Sequence, residues 1–300
     1  MFFLIVPFGF AAILAISLII TDRTKNKSIP FDWLGFLSLA IAVAGIQLIL
    51  DRGERADWFE STEIWIESGA VVAAIYFFLV HTFTTDRPFI KPAIFKDQNY
   101  TVGMIMIFVF GMLNFVPMVL FPPLLQELRG FPQSVTGLLL GARGAGTLSG
   151  FLIMAFVTQV NPRIPVFLGF ALQAFSGFVI AGFSINLTSF DVAWTSYVQG
   201  FGVGLVWVPL NVLAFSTLKQ VYVPDAAAIL HLIRNMGSSV FISICIITIM
   251  RSAKTTYAGL AETVSPYNKL FDIPFLMGAW SINSEAGVGV FAREIERQSM

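Results

Sequence analysis

Mostly apolar runs of about 18 to 25 residues, each long enough to cross a hydrocarbon core about 30 Å thick, follow one another eight times along this chain. The runs predict helices at about 2–20, 33–50, 64–83, 101–122, 134–157, 163–184, 191–215 and 226–250. The expected fold class is an all-α polytopic membrane protein of about eight transmembrane helices, multi-pass in the plasma or inner membrane, with the lipid bilayer as its solvent.

The polar stretches between the runs set the orientation. Thr21 to Pro30 carries Arg23, Lys25 and Lys27, and Thr84 to Asn99 carries Arg87, Lys91 and Lys96. Between them, Asp51 to Thr62 balances Arg52 and Arg55 against Asp51, Glu54, Asp57 and Glu60. Because basic residues concentrate in cytoplasmic connections, the first and third stretches are expected inside and the second outside. Later connections are weaker, with Arg129 outside and Arg163 and Lys219 inside. Past the eighth run Arg251 and Lys254 fall on the outer side, against the rule. The chain is thus expected to begin outside, in mid-architecture, and to finish in a polar, partly irregular segment from 252 to 300 interrupted by Pro266 and Pro274.

Composition sharpens this. Hydrophobic residues make up 56% of the chain and charged ones 12%, and the formal net charge of zero offers no field for nucleic acid. A mean hydropathy of +0.79 says the same. With two histidines and one cysteine, Cys245 inside an apolar run, neither a disulfide nor a metal centre is expected. No cofactor and no enzyme chemistry are implied, since no His/Asp or Cys/His pairing is placed for catalysis.

Ionisable groups deep in a span are costly and mark candidate functional sites. Arg143 lies about ten residues into the fifth span and Arg234 about nine into the eighth, where His231, Arg234 and Asn235 share one helix face by their i, i+3, i+4 spacing. Asn114, Gln199, Trp207 and Asn211 are candidate walls of a substrate cavity, with Phe110, Phe115 and Phe215 beside them. Acids are confined to span ends, at Glu67, Asp191 and Asp225. The pairs Gly137/Gly141 and Gly146/Gly150 suit close helix contact, whether for static packing or along a substrate path.

The segment Leu50-Asp-Arg-Gly-Glu-Arg-Ala-Asp-Trp-Phe59, closing one span and opening an outer loop, resembles a hallmark of the EmrB/QacA-type drug:proton antiporters, a fourteen-helix branch of the major facilitator superfamily. In order along the chain, Phe2-Phe-Leu-Ile-Val-Pro-Phe-Gly9, Asn99-Tyr-Thr-Val-Gly103, Pro123-Leu-Leu-Gln126, Ala142-Arg-Gly144, Gln199-Gly-Phe201 with Pro209, and Arg234-Asn-Met-Gly-Ser238 carry the same resemblance. Two positions depart from it: Ile5 stands where the family has asparagine, and Gln159 to Arg163 keeps little of the basic motif between helix pairs.

The resemblance implies a partial facilitator fold matching helices six to thirteen. Residues 1–20 then form the last helix of the first half, 21–98 an inserted two-helix linker, 99–251 an incomplete second bundle, and 252–300 an outer loop short of the final helix. It further implies proton-coupled export of drugs or other amphipathic small molecules by alternating access, energised by the proton gradient. The implied partners are a small-molecule substrate, the missing N-terminal half of the same transporter, a periplasmic adaptor and an outer-membrane channel. A permease for a siderophore, lipid or metabolite, and a non-transporting membrane scaffold, are the alternatives.

Overall fold

The structure, a computed structural model, describes residues 5–19, 31–86, 88–128, 130–156, 161–183 and 188–263. Among these the helices are α1 (Ile5–Ile19), α2 (Trp33–Arg52), α3 (Thr62–Thr84), α4 (Gln98–Pro123, continued by a π-helical turn over Leu124–Leu128), α5 (Gln133–Phe156), α6 (Arg163–Ala181), α7 (Ser189–Phe215) and α8 (Val223–Thr263). Seven of them, α2 to α8, are long and apolar enough to cross a membrane. The chain is a multi-pass membrane protein. α1 contributes 15 mostly apolar residues, and its side chains from Val6 to Ile19 are exposed.

The helix starts follow from short polar side chains at the caps. Asp32 accepts from the Gly35 amide at the start of α2, Asp97 from Tyr100 at the start of α4, and Thr188 and Asp191 form a reciprocal capping box on α7. Such residues satisfy backbone donors that the first helical turn leaves open, where lipid offers no substitute.

Among the described residues α7 is the most buried span, with α5 and α6 packed on it and α4 bridging α7 and α8. Tyr100, Ile107 and Phe110 of α4 meet Val203, Val206, Leu210 and Ala214 of α7 and Ala226, Ile229 and Leu230 of α8 in one core. Small residues set the spacing. A Cβ on Gly146 would strike the carbonyl of Tyr197, one on Gly200 the carbonyl of Arg143, and one on Gly150 would lie 2.7 Å from the Phe201 carbonyl. Only the second glycine pair expected from sequence serves this seam, because Gly137 and Gly141 face open space.

α2 and α3 form a hairpin that leans on α8. At the start of α2 the Asp32 carboxylate gathers three elements: it accepts from the Gly35 and Phe89 amides (3.0 and 2.8 Å) and pairs with His81 Nε2 at 2.8 Å. Burial alone would raise the Asp32 pKa, but the bonds from Gly35, His81 and Phe89 outweigh it and hold the carboxyl below its ordinary value. Nearby, Lys91 Nζ lies 2.7 Å from Asp225 of α8 and over the Tyr222 ring.

At the opposite end of the hairpin the run 50–59 acts as a clasp. Asp51 accepts from Ser243 Oγ at 2.8 Å, and Gln47 takes a hydrogen bond from Ser239. Glu54 accepts from Trp58 Nε1 and Arg251 Nε, each at 3.0 Å, with Lys254 Nζ at 3.7 Å. These contacts, led by the Trp58 bond, lower the Glu54 pKa against a smaller effect of burial. Asp57 and Trp58 take left-handed backbone (φ 51° and 52°) to turn the chain, and a Cβ on Gly53 would lie 2.8 Å from the Trp58 ring. Arg251 and Lys254, the charges that break the positive-inside pattern, therefore both face Glu54, which offsets one of the two charges.

The Lys91–Asp225 pair joins two segments expected inside, and the Arg251–Glu54 pair two segments expected outside. α8 runs past the boundary expected near 250 as far as Thr263. Residues 1–4, Arg23, Lys25, Lys27, Arg87, Arg129 and Gln159, and residues 264–300 of the expected outer loop, lie outside the described residues.

Candidate functional site

Three consecutive residues of α4 receive the polar side chains of three other helices. Pro117 has no amide hydrogen, so the helical bond to the carbonyl four residues back is missing and Leu113 O is left without its helical donor. Gln199 of α7 donates Nε2 to that oxygen at 3.5 Å. On the next residue, Asn114, Arg143 Nη2 of α5 donates to both the carbonyl and, at 2.5 Å, the side-chain oxygen. The third, Phe115, lies under Arg234 of α8, whose guanidinium carbon is 5.9 Å from the ring centre.

Arg234 is held mainly by aromatic faces. Its guanidinium lies 4.9 Å from the Trp207 ring centre, close enough for a cation–π contact, and its Nε and Nη2 donate to Asn235 Oδ1 at 3.3 and 3.1 Å. Trp207 is itself flanked by Phe110 at 5.6 Å and His231 at 5.9 Å. Asn211 Nδ2 donates to the Trp207 carbonyl at 2.6 Å, tying one turn of α7 together. His231 and Asn235 are exposed, whereas Arg234 and Trp207 are half-buried.

The structure thus gathers the eight expected site residues into two neighbouring subsites on α4: Arg143, Asn114 and Gln199 in one, and Arg234, Trp207, His231, Asn235 and Asn211 in the other. Gln173 of α6, another uncharged polar residue within a span, is buried at the α6–α7 seam, where it bonds Gly169 O at 3.4 Å. Phe115 and Pro117 complete the site, and the proline four residues after Leu113 was the available signal. Arg143 Nε and Gln199 Oε1 are buried without a partner. Among the described residues no carboxylate lies within ion-pair distance of either arginine, and no group of three metal-ligating side chains occurs.

The three acids expected near span ends each have a partner. Glu67 pairs with Arg52 at 3.2 Å, Asp191 closes the capping box, and Asp225 holds Lys91. What remains in the middle of the bundle is a strip bearing two cations, several amides and aromatic faces. Such a strip suits an amphipathic guest with an electronegative group.

No family model matches the chain. It is 30% identical over 270 residues to the multidrug export protein EmrB of Escherichia coli K12, covering 89% of this chain and 53% of that protein. The fatty acid resistance protein FarB of Neisseria gonorrhoeae is 26% identical over 249 residues, 82% of this chain and 49% of FarB. The lincomycin resistance protein LmrB of Listeria monocytogenes is 23% identical over 262 residues, 86% of this chain and 53% of LmrB. The chain spans about half the length of the curated relatives it matches, and its relatives are transporters of the EmrB type.

Proposed function

We propose that this chain, homologous to about half of an EmrB-type multidrug transporter, supplies the linker hairpin and most of the second helical bundle of a small-molecule exporter. The cargo is amphipathic, as the resistance named for its relatives suggests, and the energy source is the proton gradient. Transport proceeds by alternating access, with the α4–α5–α7–α8 strip forming one wall of the central cavity. The coupling carboxylate is supplied by the rest of the transporter, because the described spans of this chain carry acids only at their ends.

One observation carries the reading: Arg234, deep in a membrane span, is kept half-exposed on aromatic faces and an amide and is not sealed into an ion pair. A purely structural arginine at that depth would be expected to have its donors taken up by backbone carbonyls or a carboxylate. The guanidinium donors that Asn235 does not engage are suited to reading cargo.

The test is efflux by the intact transporter, normalised to membrane-inserted protein. Arg234→Ala should abolish or retune efflux per molecule, and Arg234→Lys should restore it only in part, since a point charge does not reproduce a planar fork. Wild-type efflux per molecule in Arg234→Ala, with inserted protein reduced, refutes the reading.

A further inference from the structure

Between α2 and α8 the two ends are joined and the middle is not. Lys91 Nζ lies 2.7 Å from Asp225 at the start of α8, and farther along the bonds from Ser239 to Gln47 and from Ser243 to Asp51 tie α8 to α2. Between these ties Ala40 and Ala44 on α2 and Ala228 on α8 offer only short side chains, and a slot of about 750 Å³ is left. Its middle is apolar, with Leu39 and Val43 on one wall and Ile229 and Leu232 on the other. Both ends are polar: Asp225 stands at one, and Gln47, Asn235 and Ser239 at the other. Phe36, Ala44 and Ala228 are exposed, so the slot opens to the surrounding membrane.

The two polar ends make different demands. At the far end the side chains are already engaged: Gln47 Nε2 donates to Asp51 Oδ2 at 3.0 Å, its Oε1 accepts from Ser239, and Asn235 Oδ1 accepts from Arg234. A hydrocarbon terminus arriving there breaks none of these bonds. At the near end the ion pair uses one carboxylate oxygen and one ammonium proton, and the side chains of Lys91 and Asp225 stay 41% and 37% exposed. Each can therefore take a second partner of opposite charge. From Asp225 to Asn235 is about 15 Å of helix, half of a hydrocarbon core about 30 Å thick. The apolar stretch thus has the depth of one leaflet.

We propose that the slot seats one acyl chain of a membrane phospholipid whose head carries both a phosphate and a primary ammonium, of the phosphatidylethanolamine class. The chain lies among Leu39, Val43, Ile229 and Leu232. The phosphate accepts from Lys91 and the ammonium donates to Asp225, so the protein's own ion pair stays closed and the four charges alternate. Charge complementarity chooses this head over its neighbours. An anionic glycerol head brings its phosphate to Asp225 with no cation to offset the repulsion, and the quaternary ammonium of choline has no N–H to donate. The bound lipid is a fixed occupant, not cargo, and it fills the gap between the hairpin and the second bundle, so the proposal does not depend on the transport reading.

Head-group preference tests this. The full chain in phosphatidylcholine nanodiscs is photolysed with a small admixture of a phospholipid bearing a diazirine at the end of one acyl chain, its head being ethanolamine, choline or glycerol, and the labelled peptides are mapped by mass spectrometry. The ethanolamine probe should label Val43, Ala44 and Leu232 to Met236 about fivefold more than the other two, the size of one exposed charge pair. All three should label Tyr76 and Phe77, on an exposed face of α3, alike. Asp225→Asn should level the ethanolamine and choline probes at the slot; a merely structural Asp225 would change total label and leave their ratio as it was. Ala44→Phe, which fills the slot, should remove the slot label and spare α3, and Ala40→Leu serves the same end if Ala44→Phe does not insert.

Equal slot labelling by the three heads, preference for the glycerol head, slot label that survives filling, an ethanolamine preference unchanged in Asp225→Asn, or no slot label at all would each overturn the proposal. So would a long-chain alkylammonium that displaces the slot label as well as unlabelled phosphatidylethanolamine does, since the phosphate would then play no part. Labelling is read without transport, so its outcome stands apart from the efflux test on Arg234.

Discussion

Gly200 offers a sharp test of how the bundle is spaced. In an exposed helix, replacing glycine by alanine stabilises by about 1 kcal/mol. At Gly200 the added methyl would fall on the carbonyl of Arg143, a backbone atom on the facing helix that no rotamer change can move aside. α5 and α7 must then separate along a seam where Gly150 and Gly204 are also in backbone contact. Overpacking of this kind costs about 1–3 kcal/mol, which exceeds the helix gain. A methyl added at Gly137, Gly141 or Gly144 on α5 would meet nothing within 4 Å, so alanine there should keep its intrinsic gain. The expected gap between Gly200→Ala and Gly141→Ala is about 2 kcal/mol, or about 30-fold in the folded-to-unfolded ratio. Reversible unfolding in mixed micelles, titrated with a denaturing detergent, measures it. If Gly200→Ala proved as stable as Gly141→Ala, the seam would not be held at backbone contact and backbone clash would not set its spacing.

The clasp should respond to acid: because native contacts lower the Glu54 pKa, their contribution is intact at neutral pH and is lost as pH falls through that lowered value. Spin labels at Arg55 and Thr255 should show a distance distribution that broadens in that range, and Glu54→Gln should be broad at neutral pH; a narrow distribution in Glu54→Gln would deny the clasp its role. Asp32→Ala removes a cap that also holds Phe89 and His81, and should destabilise the hairpin by about 1–2 kcal/mol, read in the same micelle titration, whereas an unchanged midpoint would make the knot incidental. A cysteine at position 56 in a Cys245→Ala background should react with an impermeant thiol reagent from outside only; reaction from the cytoplasmic side alone would invert the topology.

Spans were legible from hydropathy because lipid imposes one length on every crossing segment. Arg143 and Arg234 were legible for the same reason, as charges where charges are expensive. Their surroundings were not: the bond from Arg143 to Asn114 and the stack of Arg234 on Trp207 and Phe115 join different helices, and no single-segment pattern encodes which faces meet. The two glycine pairs of α5 read alike, yet only Gly146 and Gly150 find a partner helix. Arg251 and Lys254 looked anomalous because the acid they face, Glu54, lies on the distant α2–α3 connection. The extension of α8 to Thr263 escaped for a different reason. Ser252 to Thr263 is too polar to count as membrane, but Ala, Lys, Leu and Glu within it are good helix formers.

That extension makes α8 a single rod of 41 residues, about 60 Å long at 1.5 Å per residue, twice the thickness of the hydrocarbon it crosses. From Arg234 to its last turn is about 43 Å of that rod. A rocking of about 5° pivoted at Arg234 would therefore carry Thr263 sideways by about 4 Å, most of a helical pitch. Whatever meets the far tip of α8 would register events around Arg234 as leverage, with no second messenger between them.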